Sequence, residues 1–118
     1  MIKKLTSLIF LTALLAMQVS AQKSKLTTGV LAQTQGNNED AIEKLEVALE
    51  KPELLKKDKN IAKANYYLAK AYLAVSQDTS LAAKYPDAGL KAQMNLKKAI
   101  DNPEGKKYDV TAKLENLN

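Results

Sequence analysis

The sequence has no cysteine, no histidine, no tryptophan and no arginine, and only one phenylalanine, Phe10. Without cysteine there is no disulfide, no thiolate nucleophile and no N-terminal cysteine to carry a lipid. Without histidine there is no imidazole base, and the usual zinc and copper ligands are missing together. All 18 basic residues are Lys. The forked guanidinium that grips phosphate or carboxylate is therefore absent, which counts against a dedicated phosphate site. The four glycines, Gly29, Gly36, Gly89 and Gly105, are scattered rather than gathered into a phosphate-binding loop. The one Ser-x-x-Lys string, Ser20 to Lys23, straddles a predicted processing site. Glu39/Glu43 and Glu46/Glu50 fall on outward helix faces, and Asp78-Thr79-Ser80 lacks the ligand density of a calcium loop. No catalysis, no cofactor and no metal is expected.

What is present begins with a leader. Met1-Ile2-Lys3-Lys4 is basic, Leu5 to Val19 is an apolar run, and Val19-Ser20-Ala21 closes it with small residues. This is the layout of a secretory signal peptide cleaved after Ala21, and the run is too short for the ~20 residues a membrane-spanning helix needs. The expected mature chain is residues 22–118, exported to a periplasm or beyond and not held in the membrane. It loses Lys3 and Lys4, so its 16 Lys face 13 acidic residues and its net charge is +3 instead of +5. That is too mild to argue for nucleic acid. A chain of this size is one domain.

The mature chain reads as all helix. Gln22 to Gly36 is a weak helix on propensity, because Thr27, Thr28 and Gly29 are poor helix formers. Gln35 to Asn38 is a turn in which Gly36 takes the left-handed conformation, and Asn37 or Asn38 caps the next helix. Ala41, Ile42, Leu45, Ala48 and Leu49 repeat at helical spacing, with Asp40 and Lys44 paired on the outer face, until Pro52 stops them. Glu53 to Asn60 is a charged connector. Ile61 to Ser76 is the central helix, with Ile61, Ala64, Leu68, Tyr72 and Val75 on one face and Ala69 and Leu73 widening the apolar arc. A loop from Gln77 to Asp87 follows, with one helical turn at Leu81 to Tyr85. Ala88 to Asp101 is the next helix, with Leu90, Ala92 or Gln93, Met94, Leu96, Ala99 and Ile100 as its inward positions, and Asn102 to Gly105 ends it. Tyr108 to Asn118 starts a fifth helix, with Val110, Leu114 and Leu117 at helical spacing.

The chain also repeats itself. Ala41, Leu45, Ala48, Leu49 and Pro52 return as Ala92, Leu96, Ala99, Ile100 and Pro103, all displaced by 51 residues. With this order of small and large residues the sequence resembles the tetratricopeptide repeat, a helix-turn-helix unit of about 34 residues. The first copy spans Gln22 to Leu55, with Gly29 as the small residue of its first helix and Gly36 in the turn. The second spans Ala62 to about Lys106, with Leu68, Ala69 and Tyr72 in its first helix. It departs from the pattern at Asn65, where a bulky aromatic is usual, at Ser76 in place of the turn glycine, and in an insertion of roughly 11 residues before Ala92. The first copy has Lys25 and Ala32 where large residues are usual.

The resemblance implies an α-solenoid of about two repeats plus a C-terminal helix, whose first helices line a concave groove for a protein or peptide partner. Carried over, the groove residues are Lys63, Tyr66, Tyr67, Lys70 and Leu73 from the second repeat and Lys23, Leu26 and Val30 from the first. Tyr66 and Tyr67 offer large contact area at low entropic cost. Lys63 and Lys70 would attract an acidic segment. Val30 and Lys70 stand where the family's carboxylate clamp has asparagine, so a chaperone-tail function is not implied. The alternative is a structural piece: a self-associating homo-oligomer, or the leading repeats of a larger envelope assembly, since about three units are usually needed before such a stack is stable.

Overall fold

A computed structural model describes residues 2–117, with side chains from residue 16 onward. Helices α1 (Ile2–Thr34), α2 (Asn38–Glu50), α3 (Asp58–Gln77), α4 (Ala88–Asp101) and α5 (Lys106–Leu114) are joined by turns and one 3₁₀ turn at Pro52–Leu54, with no strand among the described residues. Each helix packs on the next, and α1 also touches α3. The basic start of the predicted leader and most of its apolar run lie outside the residues whose side chains are described. Among the described residues no helix is long and apolar enough to cross a membrane.

The weak propensity of Thr27, Thr28 and Gly29 does not break α1. The threonine hydroxyls donate to the carbonyls of Lys23 and Ser24 at 3.0 and 2.8 Å, so they are satisfied within the helix. At Gly29 the missing side chain is what matters. An added Cβ would stand 2.7 Å from Leu45 Cγ, so α1 and α2 meet as closely as they do only because nothing projects there. Leu45 in turn is wholly buried. The helix ends at Gly36, with φ +83°, where the Gly36 and Asn37 amides donate back to the carbonyls of Gln33 and Ala32. This paired closure satisfies two carbonyls that a helix end leaves without partners. Asn37 does not make the side-chain cap expected of it, and Asp87 makes none at the start of α4.

The core has two parts, and α3 belongs to both. Ala64, Leu68, Ala71, Tyr72 and Val75 face α1, α2 and the start of α4, around Leu26, Ala41, Leu45, Ala48 and Leu55. Ala62, Tyr66 and Ala69 face the other way, onto Leu96, Ala99, Tyr108 and Ala112. The residues related by the 51-residue displacement occupy like places: Ala41 and Ala92, Leu45 and Leu96, Ala48 and Ala99 are all buried, and Leu49 and Ile100 are half-buried. Asp40 and Lys44 form the expected pair at 2.8 Å.

Several expectations are corrected. α3 starts at Asp58, and the charged connector before it carries a core residue, Leu55, which is fully buried. On α4, Leu90 is 62 % and Met94 49 % exposed, because the helix turns Ala88, Ala92, Asn95, Leu96 and Ala99 inward instead. On α5 the inward residues are Tyr108 and Ala112, while Val110 and Leu114 face solvent. Leu117 does reach the second core, because the chain reverses at Asn116, φ +56°, where the Leu117 amide donates to the Ala112 carbonyl at 2.8 Å.

Candidate functional site

The middle of α3 brings three of the predicted groove residues together and ties them to α5. The Tyr66 ring stacks on Tyr108 at 4.6 Å between centroids, and Tyr67 meets it edge-on at 5.5 Å. The Tyr66 hydroxyl donates to Glu115 Oε2 at 3.0 Å, and the Lys70 ammonium stands 3.4 Å from the same oxygen. Lys70 also lies 5.6 and 5.8 Å from the two ring centroids, within reach of a cation–π attraction. Burial, and then the bond to Glu115, push the Tyr66 hydroxyl well above its ordinary pKa. Burial likewise raises Tyr108, and burial together with the 2.5 Å bond to Glu46 raises Tyr72. All three phenols are therefore held neutral across the physiological range.

This arrangement corrects the expected orientation of Tyr66. It was expected to turn towards the groove, but it is only 3 % exposed, beneath α5. The helical spacing is right; what α3 alone does not reveal is that a later helix covers this side. Leu26 is likewise a core residue, and Val30 is half-buried against the α1–α2 core. Lys63 and Lys23 are exposed, Tyr67 is half-buried between the two cores, and Lys70 and Leu73 are half-buried. The acid that Lys70 meets is the chain's own Glu115.

Lys70 and Leu73 open instead onto a recess of about 500 Å³ between α3, α4 and the C-terminal segment. Its remaining walls include Leu90, Leu96, Asn116 and Leu117. Such a recess accepts an apolar side chain or a short amphipathic segment, with the Lys70 ammonium at its rim. Glu115, Tyr108, Leu90 and Leu117 were not among the predicted site residues. Leu90 sits at core spacing, so periodicity alone assigns it inward. Glu115 is 45 residues from Lys70 and carries no local signal of the pairing. Among the described residues no group of three carboxylates could hold a metal ion. The chain matches no protein-family model, no curated protein and no solved structure.

Proposed function

We propose that this chain is an exported helical-repeat module of the tetratricopeptide kind that binds a segment of a protein partner and catalyses nothing. The observation that carries the binding reading is the recess beside Lys70 and Leu73, with Leu90 at 62 % exposure on its wall. A large aliphatic side chain left this open next to a walled recess is how a docking surface differs from scattered exposed leucines. The repeat reading is supported by the matching burial of Ala41, Leu45 and Ala48 with Ala92, Leu96 and Ala99. Export is supported by the boundary of the core. Of residues 16–21 none is buried, and among the described side chains the first buried one is Gln22, directly after the predicted cleavage.

The binding reading is tested by cross-linking in the envelope fraction of an exporting host, comparing the parent with a Leu90→Glu, Lys70→Glu double variant. The variant should capture less of its partner while its melting temperature falls by no more than about 2–4 °C; equal capture would remove this surface from the account. Intact mass of the exported protein reads the cleavage separately: loss of residues 1–21 supports it, and retention of them refutes it. A second reading, self-association, is favoured by Val110 and Leu114, exposed at 54 % and 80 % on one side of α5. Light scattering after size exclusion decides between a monomer and a dimer, and Leu114→Glu should dissolve the dimer.

A further inference from the structure

A second recess lies between α2, α3 and α4, on the other side of α3 from the Lys70 site. Its volume is about 350 Å³, and Leu49, Ile61, Leu68, Asn65 and Asn95 are in its lining. At 100° per residue Asn65 stands about 140° round α3 from Lys70. The two asparagines are exceptions in an apolar core, being only 6 % and 9 % exposed. Each is pinned by its own helix in the same way: Asn65 Nδ2 donates to the Ile61 carbonyl at 3.1 Å, and Asn95 Nδ2 to the Lys91 carbonyl at 2.8 Å.

One bond leaves most of a carboxamide's capacity unused, since it has two donor hydrogens and an oxygen with two lone pairs. Among the described residues neither Oδ1 accepts a hydrogen bond, yet no side-chain oxygen or nitrogen is sealed away without a partner. Both Oδ1 atoms therefore keep some exposure, and both residues line the recess.

We propose that this recess binds a short extended peptide segment, seating one apolar side chain against Leu49, Ile61 and Leu68 and pairing the segment's backbone amide with Asn65 and Asn95. A backbone amide offers one N–H and one C=O, the complement of a carboxamide's free oxygen and spare hydrogen. A wholly apolar ligand would leave both Oδ1 atoms without partners. An anion would meet two acceptor oxygens in a lining where Glu46 and Glu50 outnumber the single cation, Lys98. The volume suits one side chain and one amide, at the small end of the roughly 300–1,000 Å³ range of ligand pockets. The inference does not depend on export, on the repeat resemblance or on the Lys70 surface.

The test is an NMR titration of the full chain with N-acetyl-leucine N-methylamide, following the side-chain amide signals of Asn65 and Asn95, with N-acetyl-leucine as the anionic comparison. Both amide signals should move together and saturate with the neutral amide, and the anion should bind about tenfold more weakly or worse. Asn65→Leu keeps the branching at Cγ, removes the carboxamide and should weaken binding of the neutral amide by about tenfold or more. Stationary amide signals in the parent, or a leucine variant that binds as tightly, would overturn the proposal. Should Asn65→Leu fail to fold, Asn95→Leu makes the same comparison, and the parent titration decides in either case.

Discussion

Gly105→Ala should loosen the whole C-terminal end of the molecule, and the reason is space rather than backbone conformation. Gly105 precedes α5 with φ −93°, a value any residue adopts. An added Cβ, however, would lie 2.0 Å from the Ala99 carbonyl oxygen and 2.7 Å from that of Ile100. Close carbon–oxygen contacts run at about 3.3 Å, so the α4–α5 junction must open by about 1 Å. Both oxygens are backbone atoms in the last turn of α4, so no side chain can swing aside to make room. A gap of that size forfeits about a quarter to a half of the dispersion contact across it, where Tyr108 and Ala112 are packed on the second core. Overpacking of this kind costs about 1–3 kcal/mol, and loosening the Tyr66–Tyr108 stack adds about 0.5–1.5 kcal/mol. We expect a loss of about 3 kcal/mol and a fall in melting temperature on the order of 15 °C. Urea unfolding followed by far-ultraviolet circular dichroism measures it. Gly89→Ala is the control: it sits in the first turn of α4 with nothing within 4 Å of the added carbon, and it should gain about 0.5–1 kcal/mol. An unchanged urea midpoint for Gly105→Ala would mean that α5 is not seated on α4 as described.

Alkaline pH should destabilise the fold through its buried phenols. Tyr66, Tyr72 and Tyr108 all have raised pKa values in the folded chain, so their contribution is intact below the ordinary tyrosine value of about 10 and is lost as pH rises past it. Each adds a slope of about 1.4 kcal/mol per pH unit, which urea midpoints between neutral pH and about pH 11 would register; a flat profile would contradict the burial. Tyr72→Phe should remove one of those slopes. Leu45→Ala, at a wholly buried site against Gly29, should cost about 3–5 kcal/mol, whereas Leu90→Ala, exposed, should change stability by less than about 0.5 kcal/mol. Lys70→Glu places two carboxylates side by side with Glu115 and should cost about 0.5 kcal/mol at low salt, less at high salt.

The helices were the most legible part. Pro52 and Pro103, the apolar periodicity and the Gly36 turn mark out α2, α3 and α4, and α4 spans the residues expected of it. The pairing of Asp40 with Lys44 was also readable, because one helix turn brings the two together whatever the rest of the chain does. The site was less legible. Lys70 and Leu73 do flank an open recess, but Tyr66 and Leu26 do not reach a surface, and the recess is completed by Leu90 and Leu117 from far along the chain.

The division has a physical cause. Local order, turn chemistry and the 51-residue echo between α2 and α4 follow from interactions within a few residues and from composition, so the amino-acid order alone carries them. Which side of α3 becomes core depends on who covers it. Tyr66 and Lys63 stand on neighbouring turns of the same helix, yet one is buried because Tyr108 and Glu115 of a later segment close over it, and the other stays exposed. In the same way Gly105 looks like a turn residue in the sequence, and only the approach of α4's carbonyls makes it a steric requirement. Periodicity states that a face is apolar; packing between distant segments states which part of that face is left exposed.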